Sequence, residues 1–409
     1  MSENVGRRRG GAHRRLALTL CTFACVAIAM LTATSSGVAA TTLPQTQTAW
    51  WSYLTQAQKT WWSYLPGAGS LPGGGGLPGG TGLPGGSGLP GGSGSTPPPT
   101  GSGSTPSSST LPGKSFSGTY TGSGASLDYI GYVPSTYKAG TAVPLVVSLH
   151  GCTESADQFR QLTQWDRLAE AKGFIVVFPQ QTTANNQLKC WNFFQAASMQ
   201  RDAGEPALIA GITRSVQAQY TVDTHRTFVD GLSAGGAMSS VMAATYPDLY
   251  AAAGIGSGCE YAATATCAGY KSSDPVQAGQ QAFSAMGSHA RVMPVILFEG
   301  DKDTTVPPVN AQQLVQQWQI TDDLADDAQA NQSIPVAPTK VAQGQVPNGH
   351  AYTVTSYSDG HNGDLIESWL IVGMGHAWSG GCSCAQYADP AGPDETAAMY
   401  AFFMNHPLP

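Results

Sequence analysis

Val229-Asp230-Gly231-Leu232-Ser233-Ala234-Gly235-Gly236-Ala237-Met238 is the stretch whose reading decides the fold. It reads as a buried strand, a sharp turn and the start of a helix. At its centre is Gly-x-Ser-x-Gly, with Ser233 in the middle, the pattern of a nucleophile elbow. Such a serine needs a strained backbone so that its hydroxyl stands clear of the sheet. Gly231 and Gly235 lack the Cβ atoms that would clash in so tight a turn. Small residues at Ala234, Gly236 and Ala237 let the helix pack closely, and its N-terminus favours negative charge near the serine. In a chain with 50 glycines the pattern alone carries little. Its context carries more: Arg226 to Asp230 reads as a strand, and Ala237 to Tyr246 reads as a helix closed by Pro247.

Working outward, apolar strand-like runs recur from about Lys114 to Pro409. They are Leu127–Val133, Pro144–Leu149, Phe174–Phe178, Thr227–Asp230, Val292–Phe298 and Glu367–Val372. A single helical stretch, Ser155–Lys172, separates the second and third. Continuous apolar runs alternating with helices predict an α/β fold with a mostly parallel sheet, covered by helices on both faces. Chemistry in such a fold sits just beyond strand ends.

Three such places carry candidate residues. Leu149-His150-Gly151-Cys152 follows the second run, where a glycine lets backbone N–H groups turn toward the serine. The N–H groups of Cys152 and Ala234 are the expected oxyanion donors. Phe298-Glu299-Gly300-Asp301-Lys302-Asp303-Thr304-Thr305-Val306-Pro307 holds two candidate acids. Asp303 is preferred as the orienting partner of a histidine, and Asp301 is the alternative, read as a turn former. Leu370-Ile371-Val372-Gly373-Met374-Gly375-His376 places His376 after a strand and a glycine hinge, as candidate general base. His150 is expected to shape the oxyanion loop. His225, His289, His350, His361 and His406 have no comparable context, and His13 falls in the leader. The order serine, aspartate, histidine is that of the α/β-hydrolases.

Taken together, five motifs resemble the polyhydroxybutyrate-depolymerase-type esterases, a group that includes feruloyl and acetylxylan esterases of similar fold. They are Leu149-His150-Gly151-Cys152-Thr153, Cys190-Trp191-Asn192-Phe193, Gly231 to Met238, Asp303-Thr304-Thr305-Val306, and Gly373 to Trp378. The resemblance spans roughly residues 115–405. It implies a secreted serine esterase with Ser233, Asp303 and His376 as its triad and no cofactor, and it implies that Trp191 lies near the substrate cleft. Glu299 departs from the pattern, standing where many relatives have histidine. Polyester hydrolysis is the first expectation, and a feruloyl or acetylxylan esterase is the second. A non-catalytic surface-binding protein on the same scaffold is the rival, opposed by the intact serine, aspartate and histidine.

The N-terminal third reads differently. Residues 1–40 have a basic start (Arg7, Arg8, Arg9, Arg14, Arg15), an apolar run Leu16–Leu31 and the small-residue site Val38-Ala39-Ala40. This is expected to be a cleaved export signal rather than a membrane anchor, with a faint twin-arginine flavour at Arg14-Arg15. The whole chain carries a formal charge of −7, and cleavage would leave about −11. So acidic a protein is a poor nucleic-acid binder. A monomer is expected.

In residues 41–65, Trp50-Trp51-Ser52-Tyr53-Leu54 recurs eleven residues later as Trp61-Trp62-Ser63-Tyr64-Leu65. On a helix both copies fall on nearly one face. They are read either as an adsorption patch for a hydrophobic polymer or envelope surface, or as a helix packed on the catalytic part or a remnant. Polymer-film binding by a chain lacking residues 41–66 separates these readings. Residues 66–113 carry Leu-Pro-Gly-x-x-x units and then Pro/Ser-rich sequence, a linker composition that cannot bury enough apolar surface to fold. Residues 114–409 form the catalytic domain.

Beyond the leader six cysteines remain, an even number suited to an oxidising compartment. Cys152 with Cys190 and Cys259 with Cys267 are plausible bridges among fifteen connectivities. Cys382 and Cys384 are left over, and a bridge across one residue is strained. No Cys/His set has zinc spacing, so no metal is expected.

Overall fold

The structure, a computed structural model, describes residues 111–263, 267–268, 274–360 and 363–409. The expected export signal, the tryptophan repeat, nearly all of the expected linker and His361 lie outside the described residues.

A ten-stranded sheet runs in the order β1-β2-β4-β3-β5-β6-β7-β10-β9-β8. Its centre is β4 (Ile175–Gln180), β3 (Val143–Leu149), β5 (Val222–Leu232), β6 (Ala253–Gly256), β7 (Val295–Gly300) and β10 (Ile366–Ile371), all mutually parallel. Antiparallel strands extend both edges. β1 (Lys114–Gly122) and β2 (Ala125–Val133) lie on one side, and β8 (Lys340–Gln345) and β9 (Ala351–Tyr357) on the other. The short β11 (Trp378–Ser379) and β12 (Ala388–Asp389) pair separately. This is the α/β-hydrolase architecture the strand runs predict, and each of those runs became a strand.

The period of two along each central strand splits the core into two layers. Leu145, Val147 and Leu149 of β3 and Val177 of β4 point to one layer, whereas Val146 and the β4 residues Val176 and Phe178 point to the other. The first layer is closed by α3 (Gly204–Gln219), α4 (Ala234–Thr245), α5 (Pro275–Met286) and α6 (Val309–Asp327). The second is closed by α1 (Ala156–Thr163), α2 (Trp165–Lys172) and α7 (Glu395–Asn405). Phe403 of α7 stacks on Phe228 of β5 with ring centroids 4.8 Å apart, and also on Trp165. Burial of several such rings on both faces fixes the helices against the sheet, each worth roughly 1.5–3 kcal/mol.

The single helix expected over 155–172 is two helices. Gln164 breaks it in the left-handed region, at φ 57°, and ends α1 while starting α2. Ser155 caps α1 by accepting the Gln158 N–H, as an N-cap serine does. The bend lets Trp165 turn into the core, where it is fully buried.

All three cysteine pairs are bridged: Cys152–Cys190, Cys259–Cys267 and Cys382–Cys384. The first two are the pairs expected. The third closes across one residue, the bridge that strain argued against.

Candidate active site

β5 ends at Leu232 and α4 begins at Ala234, so Ser233 alone makes the turn. Its backbone is at φ 59°, ψ −119°, a conformation that costs a non-glycine residue about 1–3 kcal/mol. The Ser233 N–H donates to the Gly256 carbonyl at 2.8 Å, and its own carbonyl accepts the Ala237 N–H at 2.9 Å. The flanking glycines are required by contact. A Cβ on Gly235 would lie 2.0 Å from the Leu149 carbonyl oxygen, and one on Gly231 would lie 2.5 Å from the Gly235 carbonyl carbon.

Ser233 opens into a cavity of about 310 Å³, which Cys152, Ala234 and His376 also line. The Ala234 N–H opens α4, where the first amide groups have no acceptor within the helix. His376 stands on the loop after β10, with its side chain 12% exposed. Its Nδ1 lies 2.6 Å from Asp303 Oδ2. In the neutral ring this pairing puts the proton on Nδ1 and leaves Nε2 as the basic nitrogen. The Asp303 carboxylate is fully buried and its Oδ1 takes the N–H groups of Thr305 and Val306, both at 2.8 Å. Burial pushes this carboxyl upward. The hydrogen bond and charge of His376, with the two backbone N–H groups, outweigh burial and hold it below its ordinary value.

Asp301 is turned elsewhere. Its Oδ1 accepts the Gly373 N–H at 2.6 Å, and its own N–H donates to Ile371 at 3.0 Å. It ties the loop after β7 to the glycine hinge that carries His376, with Gly373 at φ 91°. A second histidine–carboxylate pair, His350 Nε2 to Asp389 Oδ2 at 3.0 Å, does not line the cavity.

The Leu149–Glu154 loop is held from behind. His150 is buried, and burial lowers its pKa to about 4. The neutral ring donates from Nδ1 to the Gly151 carbonyl at 2.7 Å and accepts the Gln181 N–H on Nε2 at 3.0 Å. The Cys152–Cys190 bridge and the Thr153 N–H to the Leu188 carbonyl, at 2.6 Å, tie this loop to residues 181–199.

Trp191 is not a wall of the cleft. Its side chain is fully buried, and its indole N–H donates to the His150 carbonyl at 3.0 Å. Its neighbours Cys190, Phe193 and Phe194 line the cavity instead. A large ring with one polar handle is better satisfied behind the loop than in front of it.

Two cavity residues escape a reading along the chain. Tyr387 comes from the segment before β12, packs edge-on to His376 at 6.4 Å, and its hydroxyl lies 3.3 Å from Thr153 Oγ1. Glu154 is the other, a buried carboxyl on the cavity wall. Among the described residues, no group of three or more His, Cys, Asp or Glu is placed to hold a metal ion.

Residues 127–336 match the family described as Esterase PHB depolymerase. The chain belongs to that family. Among similar proteins, poly(3-hydroxyalkanoate) depolymerase C of Paucimonas lemoignei is 32% identical over 259 residues, covering 61% of this chain and 58% of that protein. Acetylxylan esterase A of Talaromyces purpureogenus is 34% identical over 207 residues, covering 47% of this chain and 53% of that one. The chain thus spans little more than half the length of these two relatives. Among solved structures, the acetyl xylan esterase from Aspergillus awamori superposes with a TM-score of 0.52 at 25% identity, covering 61% of this chain and 89% of that one.

Proposed function

We propose that the protein is an exported serine carboxylic-ester hydrolase. One observation carries this reading: the serine held at positive φ opens onto the same cavity as His376, which is paired behind with the buried Asp303. Ser233 Oγ adds to the ester carbonyl carbon as its proton passes to His376 Nε2. The N–H groups of Cys152 and Ala234 take the oxyanion, and Asp303 holds Nδ1–H and balances the imidazolium. Collapse of the adduct expels the alcohol, which leaves with the proton from His376. Water then repeats the sequence on the acyl-enzyme and frees the acid.

A polyester of 3-hydroxyalkanoate type is the preferred substrate. Leu188 and Phe194, 62% and 36% exposed, are the large apolar side chains left open to solvent among the described residues; both stand on the 181–199 segment, and Phe194 lines the cavity. An uncovered apolar rim suits a hydrophobic solid better than a hydrated polysaccharide. The depolymerase from Paucimonas lemoignei supports the same choice. Acetylated xylan is the second reading, supported by the acetylxylan esterase relatives. Export is supported by the three bridges.

Hydrolysis of a short p-nitrophenyl ester tests the chemistry. Ser233→Ala is expected to lower kcat by at least about 10⁴-fold while the circular dichroism spectrum stays the same. Substantial residual turnover would assign the nucleophile elsewhere. Clearing of a polyhydroxybutyrate suspension, set against acetate release from xylan and ferulate release from a model ester, separates the substrates.

A further inference from the structure

Three titratable side chains line the cavity among the described residues: His376, Tyr387 and Glu154. Glu154 has no part in the proton relay, yet a carboxyl is an expensive group to bury there. It is 5% exposed, and no lysine or arginine lines the cavity with it. Its Oε2 accepts the Gly151 N–H at 2.9 Å. That bond fixes the backbone one residue before Cys152. A Cβ built on Gly151 would lie 3.0 Å from Glu154 Oε2 and 3.5 Å from Ser233 Cβ. Carboxyl and nucleophile therefore face each other across a single glycine.

Resting on the esterase reading above, we propose that Glu154 is the positioning residue of the oxyanion loop and that the loop works with this carboxyl neutral. Negative charge develops on the substrate beside Ser233. A carboxylate across Gly151, in a cavity with a mostly apolar lining, would repel that charge. A neutral carboxyl accepts the same N–H without repulsion. The groups facing it are few. His376 and Tyr387 come from the far wall, with Asp303 behind His376, and Thr305 and Val306 beside them are uncharged. His150 behind the loop is kept neutral by burial. Lys189 lies on the 181–199 loop outside the cavity lining.

Burial raises the Glu154 pKa to about 7, against a smaller lowering by the Gly151 N–H. The neutral form is therefore present below that value and lost as pH rises through it. Turnover acquires a falling alkaline limb from a carboxyl.

The test is the pH profile of kcat and kcat/KM on a short p-nitrophenyl ester for wild type, Glu154→Gln and Glu154→Leu. Wild type should lose about tenfold in kcat between about pH 7 and pH 9, the cost of a nearby like charge. Glu154→Gln, which keeps the acceptor and cannot ionise, should stay within about threefold of wild type at about pH 6 and lose the alkaline fall. Glu154→Leu should lose about tenfold or more in kcat at every pH with little change in KM, as when an oxyanion donor is displaced. An alkaline limb that survives in Glu154→Gln, or a Glu154→Leu enzyme with wild-type kcat, overturns the proposal while leaving the esterase reading intact. A wild type inert to esters, or an active Ser233→Ala, overturns both.

Discussion

On the serine side of the cavity, from Gly231 to Gly236, geometry is imposed by backbone contact. On the histidine side, from Glu299 to Val306 and from Gly373 to His376, it is imposed by carboxyl groups, apart from Gly300, where a Cβ would lie 2.3 Å from the Met374 carbonyl oxygen. The first side leaves no room for a Cβ at Gly231 or Gly235, because main-chain atoms of neighbouring segments already touch. The second uses Asp301 on the Gly373 N–H, Asp303 on His376 and two backbone N–H groups, and Glu299 on the Gly300 N–H. Packed backbone cannot yield by a fraction of a hydrogen bond, whereas a carboxyl can be weakened by degrees or by protonation. Substitutions at the elbow glycines should therefore act as all-or-none steric events, and those of the carboxyl groups on the histidine side should be graded and pH-dependent.

The largest effect should come from Gly235→Ala. The added methyl would meet the Leu149 carbonyl oxygen at 2.0 Å and the His150 carbonyl oxygen at 2.7 Å, both main-chain atoms. Relief requires moving α4 off β3. A loss of at least about 3 kcal/mol by urea denaturation is expected, with esterase turnover lost alongside. An alanine variant with unchanged midpoint and turnover would show that the elbow tolerates displacement, and would break the contrast at its steric end.

Asp303→Asn should come next, and it should spare the fold. The amide oxygen still accepts the Thr305 and Val306 N–H groups, so the loop stays in place. The amide nitrogen now faces His376 Nδ1, which favours the wrong tautomer and offers no charge to the imidazolium. A fall of about 10³–10⁴-fold in kcat is expected, with thermal midpoint nearly unchanged. A comparable loss in Asp301→Asn, with Asp303→Asn mild, would reverse the roles given to the two acids.

The same contrast decides what could be read along the chain. Ser233, its glycines and the strand and helix around them were legible because steric demand leaves a local pattern that other residue types cannot satisfy. Asp303 and His376 were legible from motif order and their places after strands. The choice of Asp303 over Asp301 agrees with the pairing of His376, although Asp301 proved to be a tether rather than a simple turn residue. Glu154, Tyr387 and the buried Glu395 were not legible, because each matters only through a partner distant in sequence or through burial that no local pattern records. Gln164 hid a helix break because a left-handed glutamine leaves no glycine behind. Trp191 shows the limit of motif reasoning: the resemblance placed it near the cleft, and it stands behind the Leu149–Glu154 loop, bonded to His150, rather than in the cavity lining. The edge strands β1 and β8 are rich in Gly, Ser, Thr and Gln, and pair through backbone more than through an apolar face.

The smallest effect, and the most diagnostic of the carboxyl side, should come from Glu299→Gln. Glu299, next to last in β7, is fully enclosed, with Asp303 as hydrogen-bond partner and Glu395 of α7 nearby. Burial first, and then the Asp303 charge, push its pKa well above the ordinary value. At neutral pH it is a neutral acid that donates to the Asp303 carboxylate. The folded state thus keeps a proton that the unfolded chain releases above its ordinary value of 4.5. This contribution to stability is complete below that pH and declines as pH rises above it. Glutamine donates in the same place, can still accept the Gly300 N–H, and has no proton to lose. Its thermal midpoint should match wild type at about pH 4.5 and exceed it increasingly toward pH 8, while kcat changes by less than about fivefold, the worth of one hydrogen bond. A stability difference that stays flat with pH would mean that Glu299 is ionised in the fold. Asp303 would then sit beside a second negative charge, and the graded, protonation-controlled character assigned to this wall would lose its physical basis.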